Sequence, residues 1–136
     1  IGSGGTASGV SKYFKEKNSN IKITGVDGEE SIYYNYFYKG SKEETGSHNI
    51  EGIGNEKIQK AIHFDRIDEI IRISDKQAYS MSKRLLKEEG IFAGASSGAI
   101  VCAALQIAEN LPPDKIIVAI LPDIGYTYLN HVFIEA

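Results

Sequence analysis

Hydrophobic positions along this chain follow two spacings, one helical and one of short β-branched runs. Between Thr6 and Asn18, Val10, Tyr13 and Phe14 recur at helical spacing. Lys15 and Lys17 near the end complement the helix dipole, so a helix is predicted to begin at the glycines that open the chain. Ile21, Ile23 and Val26 predict a short strand ending at Asp27, with Gly28 as its breaker. Periodicity fails from Gly28 to Lys60, which holds the aromatic run Tyr33 to Tyr38, a polar patch from Lys39 to Ser47 and the turn Glu51-Gly52-Ile53-Gly54. The aromatic run reads as an edge strand, as plain core or as a subunit interface. Ile67 to Ile73 is a second strand, and Ser74 with Gln77 has the capping-box pattern for a helix that stops at Gly90. Ile91-Phe92-Ala93 reads as a strand stub, Ala99 to Leu111 as a helix buried on most sides, and Lys115 to Leu121 as a strand apolar on both faces. Such alternation predicts an α/β fold with a parallel, twisted sheet flanked by helices.

Composition narrows the function. The 15 Lys and Arg are interleaved with 18 Asp and Glu, so the net charge of −3 hides no basic stripe, and nucleic acid is not an expected partner. No apolar run reaches the roughly eighteen residues a membrane span requires, and the chain reads as cytoplasmic. Cys102, the single cysteine, reads as a small core residue. His48, His63 and His131 lack ligand spacing, so no metal is expected.

Two glycine loops carry the candidate chemistry. In Ile1-Gly2-Ser3-Gly4-Gly5-Thr6-Ala7-Ser8-Gly9 the glycines let backbone amides approach an anion, the following helix adds unpaired N–H groups, and Ser3 and Thr6 add hydroxyls. This suits a phosphate monoester. Gly2-x-Gly4-x-x-Ala7 also satisfies a dinucleotide fingerprint, with Asp27 placed for a ribose, and the loop by itself leaves both readings open beside a plain turn. The second loop, Gly94-Ala95-Ser96-Ser97-Gly98, puts hydroxyls at a strand-to-helix turn, which suits a ring cofactor better than a dinucleotide. Only Ile1 precedes the first loop, although a strand normally feeds such a loop, and an upstream segment is therefore expected.

Together with Gly25-Val26-Asp27, Glu30-Ser31, the Glu51-to-Gly54 turn, Leu121-Pro122-Asp123 and Tyr128-Leu129, these loops resemble the cystathionine β-synthase and cysteine synthase family of pyridoxal phosphate enzymes. That family has the tryptophan synthase β fold, fold type II. The resemblance implies that residues 1–136 are the C-terminal part of the catalytic region, an incomplete tryptophan synthase β-like fold. The N-terminal part with the Schiff-base lysine would be absent and the segment inert alone. Gly2, Ser3, Gly4, Gly5 and Thr6 would hold the phosphate of pyridoxal 5′-phosphate, and Ser96 would meet its pyridine nitrogen. A neutral hydroxyl there disfavours a long-lived carbanion and suits prompt loss of a β-substituent. The implied reaction is β-replacement or β-elimination on serine, cysteine or an activated serine with a thiol or sulfide. Hydrogen sulfide is one implied product, and the implied assembly is a homodimer.

Gly52 and Gly54 would line the substrate side. The chain departs from the family pattern at Asn55-Glu56-Lys57-Ile58-Gln59, where Asn55 and Glu56 are expected to tune the second substrate or assist proton transfer, and at Ile124, where relatives often have serine. Ser97 would cap the following helix. Asp123 would either rival Ser96 for the ring nitrogen or close a turn, and Ser80-Met81-Ser82-Lys83 only imitates a catalytic Ser-x-x-Lys. The competing readings are an NAD(P)-dependent oxidoreductase and a non-catalytic ligand-sensing domain.

Overall fold

In a computed structural model the described residues are 1–42, 46 and 49–134, without the side chain of His131. His48 and part of the polar patch lie outside them. The chain forms two compact units, Ile1–Arg72 and Ile73–Ala136.

The first unit is built from α1 (Gly5–Lys17), β1 (Thr24–Gly28), α2 (Ile32–Lys39), a 3-10 turn Phe64–Arg66 and β2 (Glu69–Ile73). β1 pairs with β2 in a small parallel sheet. The predicted apolar stripe of α1 does not form its buried face. Tyr13 and Phe14 are exposed, and Ser8 and Ser11 are buried instead. Small side chains let α1 lie close to the following chain, where the Ser8 hydroxyl accepts from the His63 amide at 2.8 Å.

The aromatic run, whose Tyr33 is core, is no edge strand. It is α2, capped by the Ser31 hydroxyl, which accepts from the Tyr33 amide at 3.4 Å, and closed by Gly40 in the left-handed conformation. Its rings converge on Phe64, with Tyr36 and Tyr33 at 5.2 and 5.9 Å between centroids. Ile32, Tyr33, Ile62, Ile67 and Ile70 make the core of this unit. Packing of aromatic rings thus overrides their low helix propensity.

The second unit contains α3 (Asp75–Glu89) and α4 (Ala95–Ala108), followed by short turns Gly125–Tyr128 and Leu129–Phe133. The expected capping box forms at α3, with Ser74 and Gln77 exchanging hydrogen bonds, and Gly90 ends the helix with φ 69°. The helices cross at small residues. A Cβ on Gly98 would lie 3.0 Å from the Ser82 amide, and the Ser82 hydroxyl donates to the carbonyls of Ala78 and Gly94 at 3.1 and 2.8 Å. Ser82 in Ser80-Met81-Ser82-Lys83 is therefore a structural tie between helices.

Three expectations are corrected in this unit. The helix α4 buries one face only, with Leu105 exposed. The stub at Ile91 to Ala93 reduces to a single antiparallel bridge between Ala93 and Ile124. Lys115 to Leu121 is not a strand, since no described segment offers it a ladder, and Ile116 and Val118 stand 88% and 83% exposed.

Candidate functional site

The first glycine loop ends on Gly4, whose φ of 87° is accessible to glycine and costly for other residues. A side chain there is barred twice over, because its Cβ would lie 2.7 Å from the Cα of Ile62. Gly4 delivers the chain into α1 without a side-chain cap, and no acidic residue occupies the first turn. Among the described residues the amides of Ser3, Gly4 and Thr6 donate to no protein acceptor, and the Gly5 amide reaches only the Ser3 hydroxyl at 3.5 Å. Ser3, Gly5 and Thr6 are exposed. A cluster of unpaired donors at the positive end of a helix is an anion site in its chemistry. The residues present thus fit a phosphate dianion.

The turn at Gly52 to Gly54 packs directly on this loop. Gly52 and Gly54 have φ of 82° and 87°, the Gly54 amide donates to the Ile1 carbonyl at 2.9 Å, and a Cβ on Gly2 would lie 2.5 Å from the Gly52 carbonyl oxygen. Gly2, Gly52 and Gly54 are therefore brought together as a backbone-to-backbone contact. Asn55 continues the turn with its groups engaged inward. Its amide donates to the Ser31 hydroxyl at 3.0 Å, its carbonyl accepts from the Ile32 amide at 3.0 Å, and its Oδ1 accepts from Gln59 at 2.9 Å. Glu56 is exposed. Two residues outside the predicted site hold this turn and loop. Ser31 pins the turn, and Tyr33 donates its hydroxyl to the Gly2 carbonyl at 2.7 Å. Ser31 enters the sequence reading only through the Glu30-Ser31 motif of the resemblance, and an aromatic run carries no signal for the second.

Asp27 is fully buried, and its Oδ2 accepts from the Tyr34 amide at 2.9 Å, while Oδ1 has no partner among the described residues. Burial pushes its carboxyl above the ordinary range, against the hydrogen bond from the Tyr34 amide. A carboxylate turned into its own unit is not presented to a ribose, so the dinucleotide reading loses its acid.

At the second loop the N-terminus of α4 is held by Asp123. Its Oδ2 accepts from the Ser96 amide at 3.1 Å and its Oδ1 from the Ser97 amide at 3.0 Å, and the Ser97 hydroxyl also donates to it. Ser97 is therefore not the cap; the carboxylate of Asp123 is, and it answers the helix dipole. Gly94 leaves room for it, since a Cβ there would lie 2.5 Å from the Asp123 Cγ. Asp123 engages the hydroxyl of Ser97 and leaves that of buried Ser96 outside the network. Cys102 is half-buried beside the Gln77 carbonyl at 3.5 Å, and burial raises its thiol pKa. No group of three His, Cys, Asp or Glu among the described residues has metal-holding geometry.

A family model described as pyridoxal-phosphate dependent enzyme matches residues 1–123. The chain is 39% identical over 130 residues to a cysteine synthase of Staphylococcus aureus and 40% identical to one of Helicobacter pylori, in each case across 96% of this chain and 40% of the relative. Its fold superimposes with a TM-score of 0.86 on a crystal structure of an O-acetylserine-dependent cystathionine β-synthase from Helicobacter pylori, at 38% identity, covering 98% of this chain and 42% of the other. A cysteine synthase from Entamoeba histolytica gives 0.85 at 37% identity, covering 96% and 37%. The chain thus spans about 40% of the length of the relatives it matches.

Proposed function

Because the chain belongs to the family of pyridoxal-phosphate-dependent enzymes, we propose that residues 1–136 are the C-terminal part of an enzyme for β-replacement and β-elimination on serine, cysteine or an activated serine such as O-acetylserine. The observation that carries this reading is the set of unpaired amides at the start of α1, arranged around a glycine that admits no side chain. In it, Gly2, Ser3, Gly4, Gly5 and Thr6 hold the phosphate through backbone N–H groups and two hydroxyls. Ser96 offers its hydroxyl to the pyridine nitrogen, while the Ser96 amide is already engaged by Asp123. When bound, pyridoxal phosphate supplies the electron sink that lets a β-substituent leave. Gly52 and Gly54 bring main chain to the amino acid, and Asn55 with exposed Glu56 tunes the second substrate or assists proton transfer, a role that the exposure of Glu56 supports. The entering group is sulfide or a thiol, and with cysteine and a thiol the leaving group is hydrogen sulfide. The Schiff-base lysine lies outside these residues, and the intact enzyme is a cytoplasmic homodimer. No helix among the described residues is long and apolar enough to cross a membrane.

Borohydride reduction of the natively expressed protein, followed by denaturing mass analysis, tests the reading. A mass above that of this chain, with a pyridoxyl adduct on a lysine outside residues 1–136, is expected, together with turnover of O-acetylserine and sulfide. Protein that binds no pyridoxal phosphate and shows no turnover overturns it. Ser96→Ala should retain the cofactor and lower kcat for β-elimination by about tenfold, the scale of one hydrogen bond in a water-poor site.

A further inference from the structure

Resting on the reading that the glycine loop holds the cofactor phosphate, we propose that Tyr33 is a positioning residue of that loop, its hydroxyl fixing the direction and donor strength of the Ser3 amide through the Gly2 carbonyl. The hydroxyl donates to Gly2 O at 2.7 Å from a fully buried ring seated on Phe64, so the donor itself is held still. In a trans peptide the carbonyl and the next amide point in opposite directions. Tying down Gly2 C=O toward Tyr33 therefore aims the Ser3 N–H away from the core, on the side where Ser3, Gly5 and Thr6 are exposed. The same bond polarises the peptide group and strengthens that N–H as a donor.

The placement is reinforced from the other flank. Close approach of Gly2 to the Gly52 carbonyl and the bond from the Gly54 amide to Ile1 leave the peptide little room to rotate. Ser31, two residues earlier, pins Asn55, so the start of α2 holds the phosphate loop and the substrate turn together. Burial, aided by the charge of Asp27, pushes the Tyr33 hydroxyl up to about 12, and it stays a donor at working pH. Tyr38 of the same helix provides the contrast. Its hydroxyl donates to the Ile70 carbonyl and accepts from the Ile70 amide, a contact with β2 and not with the loop.

The experiment compares Tyr33→Phe with Tyr38→Phe in the intact holoenzyme, measuring the Kd of pyridoxal phosphate and of phosphate-free pyridoxal, and the 31P resonance of the bound cofactor. Tyr33→Phe should bind pyridoxal phosphate about three- to tenfold more weakly, pyridoxal unchanged, with a displaced 31P resonance. Tyr38→Phe should keep both the affinity ratio and the resonance of the wild type. A wild-type ratio in Tyr33→Phe, or the same change in Tyr38→Phe, overturns the proposal. If Tyr33→Phe does not fold, 3-fluorotyrosine in place of Tyr33 must tighten pyridoxal phosphate relative to pyridoxal, and an unchanged ratio overturns it equally. A wild-type protein that binds pyridoxal phosphate no better than pyridoxal refutes the phosphate-loop reading itself, and this inference with it.

Discussion

Gly4 shows how much one residue decides. Its left-handed backbone starts α1, and the space a side chain would need belongs to the backbone of Ile62. Gly4→Ala should therefore lose at least about 1–2 kcal/mol from the backbone conformation alone, with the steric clash adding to it, and should abolish pyridoxal phosphate binding. Chemical denaturation and cofactor titration check the two parts, and a variant of wild-type stability and affinity would exclude Gly4 as the hinge of the loop. Glycine loops are legible in sequence because the constraint is on the residue itself. The Tyr33 bond to Gly2 was not legible, because its partners are 31 residues apart and neither side chain type announces it.

Among elements, the helices differ in where their ends are specified. The box of Ser74 and Gln77 and the closing Gly90 lie within a few residues of α3, so its limits could be read directly. The cap of α4 comes from Asp123, 26 and 27 residues beyond the amides it accepts from. Asp123→Ala should destabilise the intact protein by about 1–3 kcal/mol, since it orphans two amides at a buried helix start. A shift in urea midpoint at constant slope is the expected signature, and an unmoved midpoint would show that the amides find other partners. For α2 the structure supplies the caps Ser31 and Gly40, and since the interior of aromatic rings has no helical alternation, its packing on Phe64 selects the helix.

For the whole molecule, the buried Asp27 ties stability to pH. The folded state holds its proton more tightly than the unfolded chain does, so ionisation costs the folded state more. Stability from this group is fully present below the ordinary carboxylate value of about 4 and is lost as pH rises through the higher folded value. The Tm of wild type minus that of Asp27→Asn should therefore fall as pH rises above about 4, followed by thermal scans across a pH series. A difference independent of pH would mean that Asp27 titrates alike folded and unfolded.

What the sequence determined by itself is what acts over one helical turn or at one backbone position: the helices α1, α3 and α4, the strands β1 and β2, and the glycines on which both loops depend. The tertiary structure decided the rest. It made the aromatic run a helix, turned small serines of α1 inward where the spacing predicts Tyr13 and Phe14, and left Lys115 to Leu121 without a ladder partner among the described residues. It also gave Asp27, Tyr33 and Asp123 their partners. Strand pairing, ring packing and remote hydrogen bonds each need a partner brought from elsewhere in the chain, and local sequence carries no record of which partner arrives.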